Sequence, residues 1–526
     1  MDEDEFTVPR VVADTLAGWD ELRRDAGRAG DEQFRRWYFD VVSTHGDPHT
    51  FAFLTFETAV ELFDRGRAPD AFLLLGWLAR HVGRVPAGDT AVRTVMALTD
   101  TCAVRAVDRE SAALAIGVLR EVVDGVRAAG DVQVEDAVCR ALSTLAHLSG
   151  RHVTSGRAGV EEVAALWREL GTRCRGSADP GLRGWRAQGL GNEALLRLQL
   201  GDEEPARRLL DLIAAEFAAD PPGASEDVDL WRVRARHAAG VLDRFHVGEP
   251  EFELGHLERQ RYWDRRRRST PRGFASWLRA GAPRNHLREL VRQAGAVHRR
   301  SVGTVRSWLC TGEPFVLLLR NFELTERSGT STLLAGPDDP ADHVQVISLG
   351  GGATSALTEL AASVPLVLVA STTAGELELD HQDWGQFTAP VRLYLPHETW
   401  FDTVSTLITV TAQVVVWAAE LTPGLARELE LLTAEGRGED TLVVLDRLDD
   451  PMTQAFLPRT GGERLTKDHP ALARFPHVVD AAELGSRDLA GCPPLIAVLE
   501  RLDAAHRVPL DQRLADIGAR LDARRT

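Results

Sequence analysis

Apolar positions in the first half of the chain recur every three or four residues, the spacing that lines one face of a helix. Leu16, Trp19 and Leu22 open the series, and Phe34, Trp37, Tyr38, Val41 and Val42 continue it. From about Val8 to Phe245 this spacing predicts helix after helix with no strand alternation. Short breaks rich in Gly, Pro and Asp, at 44–48, 84–89 and 177–180, read as helix-to-helix turns. Residues 249–311 form a boundary region with turn residues, many arginines and at least one helix near 285–300. The pattern then changes. Short unbroken apolar runs at 315–319, 344–349, 365–369, 391–395, 414–417 and 441–445 alternate with helical stretches at 354–362, 397–412 and 423–432. Runs apolar on both faces, separated by helices, predict a parallel sheet covered on both sides. A mixed tail follows, with an apolar helix at 494–502 and an amphipathic one after Leu510. The expected organisation is a helical region over 1–247, a basic segment over 248–312 and an α/β domain over 313–526.

The α/β part is organised around Val414, Val415, Val416 and Trp417 and the helix after them. Pro423 suits a first helical position, Thr422 is the expected N-cap, and Leu425, Leu429 and Leu432 recur at helical spacing. Arg427, Glu428 and Glu430 then stand in the first turns of a helix at the carboxyl edge of the sheet, where open α/β sheets bind ligands. Arg320 ends the first strand as Trp417 ends the central one, so both are expected at one crevice. A guanidinium there suits a phosphate, because its planar fork donates two hydrogen bonds. Two plainer readings stand beside these: Glu428 as a surface residue complementing its own helix dipole, and Arg320 as an ion-pair partner of Glu323 or Glu428.

Composition narrows the chemistry. With 44% hydrophobic and 26% charged residues, the 526-residue chain is ordinary for a folded protein of two or more domains. No apolar run approaches the roughly 18–20 residues of a membrane span, and the acidic opening is unlike a signal peptide, so the expected location is cytoplasmic. Cys102, Cys139, Cys174, Cys310 and Cys492 are odd in number and scattered, and are expected as reduced thiols. Lys467 is the only lysine, and its context excludes a P-loop, a kinase strand lysine and a Schiff-base lysine. The net charge of −17 argues against general nucleic-acid affinity. It is uneven, however, since residues 257–306 hold 14 arginines against three acids. The run Arg265–Arg268, beside Tyr262, Trp263 and Phe274, is a candidate nucleic-acid or anionic-lipid contact, or a linker that docks on the acidic N-terminal half.

Two resemblances add to this reading. The stretch 189–202, with Gly189, Gly191, Asn192, Ala194, Gly201 and Asp202, resembles a tetratricopeptide (TPR) repeat, in which small residues let paired helices approach closely. A TPR-like α-solenoid implies a docking surface for a protein partner or a second copy. In the α/β part, Leu319, Arg320, Asn321, Phe322 and Glu323, then the run 422–430, beginning Thr422, Pro423, Gly424 and Leu425, resemble bacterial Toll/interleukin-1 receptor-like (TIR-like) domains over about 315–450. That resemblance implies a flavodoxin-like parallel sheet, a possible homo-oligomer through this domain, and a role in bacterial defence or stress signalling, antiphage defence included. In enzymatic TIR domains a glutamate near the start of this helix engages the nicotinamide ribose during NAD cleavage, and by position it falls on Glu428. Arg320, Asn321, Phe322, Trp417 and Arg427 are the substrate-binding residues it implies, with NAD as substrate and no cofactor. Family members often carry Trp or Cys just before that glutamate, where this chain has Gly424, Leu425 and Ala426.

Other constellations point less far. Gly350, Gly351 and Gly352 between a strand and a helix could cradle a phosphate or simply turn the chain. Asp380, His381 and Asp383 could hold a metal, though a lone loop histidine is usually solvated. The expected function is an NAD-cleaving TIR-like effector controlled by the helical half; the alternative is an inactive TIR-like scaffold that self-associates or binds a protein.

Overall fold

A computed structural model describes residues 48–82, 88–126, 131–153, 156–223, 225–250, 282–320, 360, 363–371, 391–396, 400–418, 420–445, 463–484 and 492–524. The chain divides into two compact units, Met1–Leu196 with Ala206–Ala235, and Arg197–Pro205 with Arg236–Thr526. No described helix is long and apolar enough to cross a membrane.

The first unit is helical, as the three- and four-residue spacing predicts. It holds α1 (Pro48–Asp64), α2 (Ala68–Val82), α3 (Asp89–Arg105), α4 (Arg109–Gly125), α5 (Val132–Leu148), a π-helical turn (Ser149–Val153) and α6 (Gly156–Arg173). Residues of α7 (Pro180–Gln199), α8 (Glu203–Glu216) and α9 (Glu226–Arg244) complete it. Asp108 caps α4 reciprocally with Ser111, and Asp131 accepts from Gln133 and Val134 at the head of α5. Helices α1 to α5 pack on their neighbours and on the next but one: α2 on α1 and α4, α5 on α3, α4 and α6. That stacking buries Leu74, Leu78, Leu98, Leu119, Leu142 and Leu145 in one continuous core. Small residues matter at two points. A β-carbon on Gly189 would lie 2.6 Å from the backbone nitrogen of Gly171, and one on Gly191 would lie 2.1 Å from the Trp231 ring. Helices α6 and α7 therefore touch backbone to backbone.

The second unit is built on α10 (Ala282–Thr311) and a six-stranded, wholly parallel sheet. Helix α10 runs well past the 285–300 expected from sequence. The strands are β1 (Val316–Arg320), β2 (Leu366–Ser371), β3 (Val391–Leu395), β4 (Gln413–Ala418), β6 (Thr441–Leu445) and β8 (His477–Asp480). A small antiparallel pair, β5 (Glu420–Leu421) with β7 (Glu463–Arg464), lies apart from them. Helices α11 (Trp400–Val410), α12 (Pro423–Ala434), α13 (Pro493–Arg507) and α14 (Leu510–Ala523) complete the unit. The order is β3-β2-β1-β4-β6-β8. A flavodoxin-like order accounts for β2-β1-β4-β6-β8 but not for β3, which pairs outside β2 through Val367–Val391 to Ser371–Leu395. With β3 included, the order is that of doubly wound dinucleotide-binding sheets, and its switch point lies between β1 and β4. Strand β8 is an addition to the sequence-based elements, and the apolar run 344–349 lies outside the described residues.

Two boundaries of this sheet are closed by side chains. At the β3 edge the N–H groups of Arg392 and Tyr394 donate to Ser301 Oγ (2.9 Å) and His298 Nδ1 (3.1 Å), one helical turn apart on α10. An unpaired strand edge is a template for unwanted pairing, and α10 removes it. His298 Nε2 donates in turn to the Gly248 carbonyl at 3.1 Å, which fixes the tautomer. Burial lowers the His298 pKa to about 4, so the ring stays neutral and keeps its acceptor nitrogen. At the amino edge Arg437 donates to the carbonyls of Ile408, Thr411 and Ala412, satisfying the end of α11. Helix α14 covers the same edge, Arg513 donating to Gly312 O (2.6 Å), Arg520 to Thr409 O (3.0 Å) and Arg524 to Glu435 (2.7 Å). The turns leading into β1, β4 and β6 are thus pinned to one helix.

The glycine contacts make a paired prediction. Gly189→Ala should cost roughly 2–3 kcal/mol in urea unfolding, because backbone cannot yield to the added carbon. Gly117→Ala, in α4 with nothing within 4 Å, should instead gain roughly 0.5–1 kcal/mol from helix propensity.

Candidate functional site

The carboxyl edge of the sheet is assembled from β1, β4 and the helix that leaves β4. Strand β1 is apolar throughout, with Val316, Leu317, Leu318 and Leu319 buried. It pairs with β4 residue by residue, and Arg320 stands opposite Trp417 at the last rung. The two positions that sequence reasoning assigned to one crevice are therefore neighbours in the ladder. Arg320 is placed by its backbone, and Asn321 and Phe322 lie outside the described residues.

Helix α12 begins as its sequence requires. Thr422 is extended (φ −85°, ψ 162°), its hydroxyl accepts from Leu425 N at 3.3 Å, and Pro423 stands in the first turn. Its buried residues are Leu425, Glu428, Leu429 and Leu432, an i, i+3, i+4, i+7 stripe that includes the glutamate. Glu428 is only 4% exposed, which corrects the reading of it as a surface residue. The physical reason is its place in the stripe: three leucines at that spacing carry the position between them into the core. Among the described residues Glu428 has no hydrogen-bond or ion-pair partner. Burial raises its pKa to about 8, so at pH 7 the carboxyl is mostly protonated. Glu428 can then donate one hydrogen bond and accept others.

The neighbouring residues divide between the two faces of the sheet. Trp417 is partly buried and packs against the cluster of Val415, Leu442, Val444, Leu495, Val498 and Leu502, which α13 covers. The leucines of the α12 stripe do not belong to that cluster. Arg427 has its guanidinium carbon 3.9 Å from the centre of the Phe401 ring. Phe401 meets Trp400 edge to face at 5.4 Å, and a β-carbon on Gly424 would touch the Trp400 ring at 3.7 Å. The first turn of α11 thus sets two aromatic rings beside the first turns of α12. Two adjacent aromatics following a strand were the sequence signal for them, and sequence reasoning passed over it.

At the outer end of the same edge Lys467 pairs with Glu483 (2.5 Å) and lies 3.8 Å from Asp480, the last residue of β8. The lone lysine is tied down by two acids. No cluster of His, Cys, Asp and Glu suited to a metal ion occurs among the described residues. The triglycine run 350–352 and the acidic group at 380–383 lie outside them.

Burial of an unpaired carboxyl couples stability to pH. The folded state holds a proton on Glu428 up to about pH 8, whereas the unfolded chain releases it near the ordinary carboxyl value of 4.5. Between those values the folded state binds more protons, so stability should fall as pH rises, and flatten above the upper one. The loss should be on the order of a few kcal/mol by denaturant titration. Glu428→Leu should remove the slope and raise stability at the alkaline end by about 1–3 kcal/mol. Comparison with protein-family models, with curated proteins and with solved structures gives no match to this chain.

Proposed function

We propose that this chain is a TIR-like nucleotide-cleaving enzyme, which hydrolyses the nicotinamide–ribose bond of NAD or of a related dinucleotide. One observation carries the reading: a buried carboxyl without a partner among the described residues, on the helix that starts at the carboxyl edge beside the β1–β4 switch point. A buried uncharged acid is costly unless a ligand completes it. The nicotinamide ring of NAD carries a positive charge, and the transition state for its departure places positive charge on the ribose carbon. Either charge beside Glu428 favours the carboxylate, so substrate binding would draw the proton off and leave an anion facing the developing cation. Water then adds to the ribose carbon, nicotinamide departs with the bond's electron pair, and one proton is released. Arg320, at the end of β1, is the proposed phosphate contact, with Asn321, Phe322, Trp417 and Arg427 as further substrate-binding residues.

The helical unit is the proposed docking part, for a protein partner or a second copy. The basic run Arg265–Arg268 lies outside the described residues and has no part in this proposal. A second reading has an observation of its own: Glu428 shares its stripe with Leu425, Leu429 and Leu432, where a packing residue belongs. On that reading the TIR-like unit is a self-associating scaffold without turnover.

One assay separates them. The full chain is incubated with NAD over a range of protein concentrations, and nicotinamide release is followed by chromatography. Release is expected, with a kcat/KM that climbs with pH towards about 8 as the free enzyme's Glu428 ionises. Glu428→Gln should lower it by about 100-fold or more. Absence of release at every concentration would leave the scaffold.

A further inference from the structure

Cys139 lies in α5 and Cys174 directly follows α6, and their sulfurs stand 3.3 Å apart in the core of the helical unit. Neither thiol is open to bulk water, at 0% and 2% exposure. We propose that Cys139 and Cys174 form a peroxide-sensitive dithiol, which hydrogen peroxide converts to a disulfide linking α5 to α6. This goes beyond the nucleotide chemistry of the second unit and does not depend on it.

The geometry supports the pairing in two ways. A disulfide needs its sulfurs at about 2.05 Å, so the observed contact asks for a modest adjustment between two adjacent helices. The chain between them contains the π-helical turn Ser149–Val153, and the Ser149 hydroxyl is buried without a partner among the described residues. Turns of this kind are local irregularities that interrupt a regular helix ladder, so a small shift is easier to absorb there than in α5 itself. Arg173, next to Cys174, is paired with Glu135 at 2.5 Å, and the carboxylate's upward pull on the Cys139 thiol offsets the guanidinium's downward one. The other three cysteines are buried singly. Burial pushes Cys102 and Cys310 up to about 12 and raises Cys492.

The chemistry balances with one small oxidant. A thiolate attacks one oxygen of hydrogen peroxide and the O–O bond breaks, which gives a sulfenic acid and a hydroxide that takes up the thiol's proton as water. The second thiol attacks the sulfenic sulfur, the S–S bond forms, the S–O bond breaks, and that oxygen leaves as water with the second proton. Two thiols and one peroxide thus become one disulfide and two waters, and the sulfur pair gives up two electrons. The hydrogen bond to Cys174, and then burial, raise the Cys139 pKa, so the first step is slow at neutral pH and speeds up as pH rises. The second step is intramolecular between groups already in contact, which outpaces further oxidation. A small uncharged oxidant is required, since a bulky disulfide cannot approach thiols this deep.

The test uses the full chain, exposed to hydrogen peroxide, quenched, unfolded, alkylated with N-ethylmaleimide and digested for mass spectrometry. The expected result is a Cys139–Cys174 cross-linked peptide two hydrogens lighter than its separate parts, with Cys102, Cys310 and Cys492 alkylated. Cross-link yield should rise with pH, and a single Cys139→Ala or Cys174→Ala change should abolish it. Five alkylated cysteines after peroxide, sulfinic acid at either position without a cross-link, or a bridge to another cysteine would overturn the proposal. If a variant fails to fold, the peptides of the wild-type chain alone decide between these results.

Discussion

Parallel pairing of β1 with both β2 and β4 is the constraint on which the second unit depends. Strand β1 offers only Val and Leu before its terminal arginine, so both of its faces must be covered and both of its edges paired. Parallel neighbours need long crossovers, and strands added on opposite sides of β1 leave a gap in helix cover above its carboxyl end. That gap is where Arg320 and Trp417 finish their strands, and the same pairing that satisfies the backbone of β1 delivers them there.

The remaining boundaries of the sheet are committed to structure. Arginines on α14 and at position 437 take up carbonyls at the amino edge, and α10 answers the free N–H groups of β3 with a serine and a neutral histidine. These are strong uses of polar groups, since each meets a backbone partner whose neglect would cost about 1–3 kcal/mol. Glu428 is the contrast. It occupies a core stripe, meets no partner among the described residues, and is held uncharged by its surroundings. Arg437 reaches three carbonyls at the amino edge, whereas the Glu428 carboxyl sits on the helix that starts at the carboxyl edge, where ligands bind in doubly wound sheets.

The helical unit solves a different problem. In α1 to α5, stacking with the neighbour and the next but one supplies the core. Close approach sets the limit on sequence: Gly189 and Gly191 are small because another backbone or an indole ring occupies the space of a side chain. The same close packing of α5 against α6 brings the two thiols into contact.

Local chemistry settled what lies near in the chain. The cap and proline of α12, the strand character of β1, β4 and β6, and the helical period of the first unit could all be read from sequence, because each depends on residues within one or two turns. Strand β8 could not be: His477, Val478, Val479 and Asp480 are only partly buried and too few to show a period. The place of β3 outside β2 depends on a ladder between residues far apart in the chain, so composition carried no trace of it. Glu428 was legible as the candidate site residue, with a surface position as the plainer alternative; its burial was not legible, because a glutamate beside Arg427 and Glu430 reads as polar until α11 packs on the helix. Trp400 reaches Gly424, and Cys139 reaches Cys174, only once helices distant in sequence pack together. The sequence alone determined most of the helices and central strands, the cap of α12 and the candidate glutamate; the tertiary structure decided strand β8, burial, neighbours and protonation, because those depend on what the rest of the chain pairs with or excludes from water.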